Sequence, residues 1–266
     1  MYSVFQLLLW SSLCAVVLQA YDLSKQLDPP GALKVALDYE FATRWPTPLQ
    51  SSGPQVPRNW VWSSHITFNG PVSEISDGQL WQIALDASDE VDPDRKQYGI
   101  SPKNQPAAMG VLAWGNEIIL ASSQKGPTSF SYNYPNTDIL LGLQLCQIVW
   151  RDYGPGQSDT RHRNDGKCAE QMAAHLYYLS RPRPSPLSRQ SARVGTIVRN
   201  NKGGKAKTDP CGDVEKDSWG CNLFVADQAL TVLDKNTPSE SYDLSSLAGG
   251  VARIDQITLC GAIRPY

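Results

Sequence analysis

The chain has 266 residues, 24 Lys and Arg against 26 Asp and Glu, a formal net charge of -2, and 41% hydrophobic residues. That length can bury a proper core, as one large domain or two small ones. The charge balance argues against a general polyanion binder, because strong nonspecific affinity for nucleic acid needs many Lys and Arg contacts to phosphate.

In chain order, residues 1–20 come first. An apolar run from Leu7-Leu8-Leu9-Trp10 to Leu18 closes on Gln19-Ala20, a small-residue cleavage site, and reads as a cleavable export signal. A buried N-terminal helix is the other reading. The run is too short to span a bilayer, and no later stretch approaches about 18 apolar residues, so the sequence predicts a secreted, extracellular protein with no membrane anchor. Residues 21–74 read as an irregular N-terminal extension, broken by Pro29-Pro30-Gly31, Pro46-Thr47-Pro48 and Ser51-Ser52-Gly53-Pro54.

The folded domain is expected over residues 75–266. Ser76-Asp77-Gly78-Gln79 is a capping-box pattern that opens a helix ending near Val91, before Pro93. Two apolar runs, Met109 to Trp114 and Glu117 to Ala121, flank Gly115-Asn116 and predict a β-hairpin. Asn136-Thr137-Asp138 opens a helix that carries Cys146, and a second runs from Lys167 to about Tyr178 with Cys168, Met172 and His175 on one stripe. Arg193 to Arg199 reads as a strand, Cys221 to Leu233 is ambiguous, and Val251 to Leu259 reads as a late strand. The order describes an α/β layer.

Removal of Cys14 with the signal leaves five cysteines, Cys146, Cys168, Cys211, Cys221 and Cys260. An odd count cannot be fully paired. One solution places three thiolates on a zinc ion and leaves two for a disulfide. The other closes Cys211 and Cys221 into a short disulfide loop, with Cys168 paired elsewhere. No Gly-x-Ser-x-Gly or His-Glu-x-x-His occurs, which gives a serine hydrolase or zinc protease little support.

Cys168-Ala169-Glu170 at the start of a helix, and Pro210-Cys211 with Cys221 beyond a strand, resemble the cytidine-deaminase-like superfamily. Members carry [His/Cys]-x-Glu at one helix start and Pro-Cys-x-x-Cys at another, with a β-hairpin before the first and a strand between them. Here nine residues, Gly212 to Gly220, separate the downstream cysteines where the family has two. The chain also resembles a group of secreted fungal proteins. The resemblance implies a deaminase-like layered sheet with helices, with Zn2+ held by Cys168, Cys211 and Cys221. It assigns Glu170 to shuttle a proton from water to the ring nitrogen and the departing amine of a nucleobase, free or in single-stranded nucleic acid.

Ser122 and Ser123 match the family's substrate contacts, although a strand-end turn explains them equally well. His162 could line the pocket, replace Cys221 as ligand, or sit in a solvated loop. Cys146 and Cys260 have no metal-like neighbours and are assigned to the remaining disulfide. His175 reads as a core residue. Arg181 to Arg193, with Lys202, Lys205 and Lys207, forms a local basic run that could meet phosphate or simply be solvated. The expected function is that of a secreted zinc-dependent deaminase, a hydrolase of C–N bonds acting as a toxin or effector. The alternative is a disulfide-stabilised secreted interaction protein without catalytic activity.

Overall fold

A computed structural model describes residues 21–49, 57–182, 184–200, 203–261 and 263–266. The export-signal segment 1–20, the Ser51-Ser52-Gly53-Pro54 break and Lys202 lie outside them. The described residues form an α/β structure around one sheet of nine strands. The sheet's spine runs in the order β6 (Lys205–Thr208), β5 (Arg193–Arg199), β3 (Ala108–Trp114), β4 (Glu117–Ser122), β2 (Trp62–Phe68), β8 (Val251–Ile257) and β9 (Ile263–Pro265). β1 (Ala36–Leu37) pairs with β2, and β7 (Thr231–Val232) runs parallel to β5 while the other pairs are antiparallel. No helix of the described residues is long and apolar enough to cross a membrane.

The predicted hairpin is β3 and β4, which turn at Gly115 with φ +51. Their alternate residues feed two cores. Met109, Val111, Ile118 and Leu120 meet α2 (Asp77–Gln97) on one face, whereas Leu112, Trp114, Ile119 and Ala121 meet α4 (Asp138–Tyr153), α5 (Ala169–Leu179) and α6 (Cys221–Asp227) on the other. A sheet covered on both faces explains why these strands are apolar runs with no polar alternation.

Two sequence expectations change. The capping box forms as predicted, with Ser76 and Gln79 bonding reciprocally, yet α2 continues through Pro93 to Gln97. The proline costs its own N–H and crowds the carbonyl one turn back, without ending the helix. The turn beyond it is held by Asp94, which accepts from the Leu37 N–H and the Trp62 Nε1–H at 2.9 Å each. Residues 21–74 also do more than extend the domain. They contain α1 (Tyr39–Arg44) and β2, which lies between β4 and β8 in the sheet. The polar residues that disguise β2 are satisfied internally: Ser64 donates to the Leu33 carbonyl at 2.5 Å, and the two nitrogens of the His65 ring meet Asp255 and Glu117 at 2.7 and 2.8 Å.

Candidate metal centre

Four side chains converge where α5 and α6 begin. Gly110 in β3 lets α5 start directly against the sheet, because a Cβ there would stand 3.0 Å from the Ala169 Cβ. That approach places Cys168 at the N-cap and Glu170 in the first turn, over a cavity of about 810 Å³ that Cys168, Glu170 and Cys211 help to line. The short helix α3 (Phe130–Asn133) packs behind this point, and His175 is buried there with its Nε2 3.0 Å from Ser131 Oγ. Burial holds His175 down to about 3, so it is a neutral core residue, as expected.

Cys211 and Cys221 meet despite the nine residues between them. The chain leaves Cys211, closes an antiparallel bridge between Asp213 and Ser218, and turns back through Asp217 at φ +46. The Asn222 N–H then donates to the Cys211 carbonyl at 2.9 Å. Gly220 completes the approach, since a Cβ there would lie 2.4 Å from the Cys211 carbonyl oxygen and 2.7 Å from its Sγ. The excursion is a self-closed loop, and it delivers Cys221 back beside Cys211.

The sulfurs of Cys168 and Cys211 are 3.5 Å apart, as are those of Cys211 and Cys221. His162 Nε2 lies 3.5 Å from Cys221 Sγ and 3.8 Å from Cys211 Sγ. All four ligand atoms fall within 4.8 Å of one another. A disulfide needs its sulfurs at about 2.05 Å. Tetrahedral zinc holds sulfur at about 2.3 Å and imidazole nitrogen at about 2.05 Å, which sets ligand–ligand edges of roughly 3.6–3.8 Å. The cluster has the spacing and donor chemistry of a metal site and could hold zinc.

Electrostatics agree with that use. Hydrogen bonds from Cys168 and Cys221 hold the Cys211 thiol well below its ordinary range. The bond to Cys211 pushes Cys168 up, and burial pushes Cys221 up. One thiolate clasped by two thiols is a donor set that must release protons when a metal binds. Glu170 is only 4% exposed, its Oε2 is 3.4 Å from Cys221 Sγ, and burial raises it above the usual carboxylate range.

Comparison with known protein families, curated proteins and solved structures finds no match to this chain. The site's reading therefore rests on its own geometry.

The remaining candidates divide. Ser123 lines the cavity and accepts from the Ala108 N–H at 3.1 Å. Ser122 is fully buried in the sheet instead, where its Oγ accepts from the Trp62 N–H at 2.9 Å. The expected Cys146–Cys260 disulfide is absent, because both thiols are free. Cys146 on α4 faces Asp227 while Cys260 lies beside Asp38 and Glu40 near α1, and burial pushes each to about 12. Four cations of the basic run are spent internally: Arg181 pairs with Glu117, Arg193 with Asp77, Lys205 with Asp89, and Lys207 donates to the Thr237 carbonyl. The cations at the cavity are others, Lys125, Arg163 and Lys167. Sequence reasoning passed over them because they are scattered singly on two loops.

Proposed function

We propose that the protein is a zinc-dependent hydrolytic deaminase acting on an amino-substituted nucleobase, and that the export signal read in residues 1–20 sends it out of the producing cell as an effector or toxin. The observation that carries this is Glu170, a buried carboxylate that lines a cavity together with two cysteines of the metal set and has no ion-pair partner among the described residues. A metal that only tied the fold together would need no such group. The element order supports the same reading: a hairpin, a helix opening on Cys168-Ala169-Glu170, a strand antiparallel to the hairpin, and a second Cys-bearing helix leading to β7, parallel to β5.

Zinc, where bound, supplies Lewis acidity that brings water within reach of deprotonation near pH 7. Glu170 takes one proton from water and passes it to the ring nitrogen, then carries the second, from the hydroxyl added to the ring carbon, to the departing amine as the C–N bond breaks. Water and the amino-substituted base are consumed, and the carbonyl base and ammonia leave. Lys125 and Arg163 at the cavity suit a substrate that carries phosphate, whether a nucleotide or a single strand, while the Lys167 ammonium already donates to the Gly126 and Pro127 carbonyls.

A second reading, a closed structural zinc site, is favoured by the convergence of four ligand atoms, since structural centres use four protein ligands and catalytic ones three. Ammonia release from cytosine- and adenine-containing nucleosides, nucleotides and single strands separates the two, measured at matched zinc content. Wild type should turn over at least one of them, and Glu170→Gln should keep zinc and fold while losing about 10²–10⁴-fold in rate. Equal rates in both proteins would remove Glu170 from the chemistry, and no release from any substrate would leave the structural site.

A further inference from the structure

His162 offers a ring nitrogen to the cysteine cluster, yet its other nitrogen decides what that offer can be. Nδ1 accepts two hydrogen bonds, from the Asn164 N–H at 3.1 Å and the Gly166 N–H at 3.3 Å. Both donors are peptide N–H groups and cannot become acceptors. Nδ1 must therefore keep its lone pair, which puts the proton of the neutral ring on Nε2, and the Gln171 side-chain amide 3.2 Å from Nε2 must then turn its oxygen to that proton. A protonated nitrogen has no lone pair for a metal. Histidines that bind metal show the opposite polarity, donating the distal N–H to a carboxylate or carbonyl.

Turning the ring over does not restore a ligand, because it would set carbon against both peptide N–H groups. The surrounding loop also holds the ring in place. The His162 N–H donates to Tyr132 Oη at 3.2 Å, the Asp165 N–H donates to the His162 carbonyl at 2.7 Å, and the Arg163 N–H donates to the Trp219 carbonyl at 3.0 Å. Trp219 packs edge-on against the imidazole with centroids 5.4 Å apart.

We propose that His162 is not a metal ligand but an N–H donor to the cluster, so that the centre is a three-cysteine site whose fourth position opens toward the cavity and Glu170. The proposal rests on the zinc reading given above and removes its structural alternative. It also completes a pattern in which each sulfur has one N–H donor. Asn164 Nδ2–H reaches Cys168 Sγ at 3.2 Å, the Cys221 N–H reaches Cys211 Sγ at 3.3 Å, and His162 Nε2–H reaches Cys221 Sγ at 3.5 Å. Three thiolates outweigh the charge of a divalent ion, and N–H donors to sulfur offset the excess that would otherwise blunt its Lewis acidity. The arrangement of the cavity agrees, since Cys168, Cys211 and Glu170 line it whereas Cys221 and His162 stand behind.

Two measurements on the zinc-loaded full chain test this without depending on activity. Zinc-edge X-ray absorption should find three sulfur neighbours and one light atom, with no outer-shell scattering from imidazole. Nitrogen-15 NMR of the ring, simple to assign with three histidines in the sequence, should show Nε2 protonated in His162. His162→Gln should keep three sulfurs on the metal while weakening zinc affinity about 10–100-fold. Imidazole scattering in the wild type, or a proton on Nδ1, would overturn the donor role and leave the metal site standing. A chain that binds no zinc would overturn the metal reading itself.

Discussion

His65 is bound by carboxylates at both ring nitrogens, Asp255 at Nδ1 and Glu117 at Nε2, and its ring stacks on Trp114 with an interplanar angle of 2°. Burial disfavours the imidazolium, but the hydrogen bonds to Asp255 and Glu117 outweigh it and raise His65 above its ordinary value. A group raised in the folded state contributes stability that is complete below its unfolded pKa, about 6.5, and is lost as pH climbs through the higher folded value. The gap in thermal midpoint between wild type and His65→Gln should therefore be wider near pH 6 than near pH 9. A gap of equal size at both would mean that His65 holds no extra proton in the fold. This residue was silent in the sequence, since the partners of a lone histidine come from strands far away in the chain. Cys168 and Cys211 were legible as cluster members because their neighbours, Ala169-Glu170 and Pro210, lie beside them, whereas Cys221 is brought in only by the fold of the intervening loop. His162 was visible as a candidate but not in its role, which depends on two peptide N–H groups that only the folded loop aims at its ring.

At the level of elements, the end of α2 is tied to the sheet through one carboxylate. Asp94 takes hydrogen bonds from β1 and β2 at once, and burial raises it to about 6. Asp94→Ala would leave the Leu37 N–H and the Trp62 Nε1–H without a partner inside the protein, at about 1–3 kcal/mol for each orphaned group. A loss of about 3 kcal/mol is expected in urea unfolding, and an unchanged midpoint would show that water reaches both donors. The hairpin, α4, α5 and β5 follow from local pattern and were legible with small errors at their ends. β2 was not legible, because a strand flanked by others and buried on both faces shows no alternation, and Ser63, Ser64 and His65 imitate a loop until their partners are known. The helical run through Pro93 was hidden for a related reason: the contacts that hold the turn beyond it belong to β1 and β2.

For the whole molecule, the three clustered cysteines join two segments: the start of α5, and the excursion that opens at Cys211 and ends at α6. Zinc that binds only the folded form at about 100 times its dissociation constant adds about 2.7 kcal/mol, which in a chain of this size raises the thermal midpoint by roughly 5–10 °C. Chelation should reverse that shift, and re-addition of zinc should restore it. The same sample answers the cysteine question: thiol titration in denaturant with chelator should find all five cysteines beyond residue 20 free. A count of three would restore a disulfide, and peptide mapping without reductant would then identify it.

The pairing of β2 with β8 also has a consequence in time. His65 and Asp255 are 190 residues apart. At a synthesis rate of about 5–20 residues per second, β2 waits roughly 10–40 s for that neighbour, whereas a hairpin such as β3 and β4 closes in about 1–10 μs. During the wait the growing sheet offers an open edge on the side that β8 later covers, a surface on which another chain can add a strand. Conditions that slow or truncate synthesis between the two strands lengthen that exposure, and the nascent protein is then most in need of a chaperone.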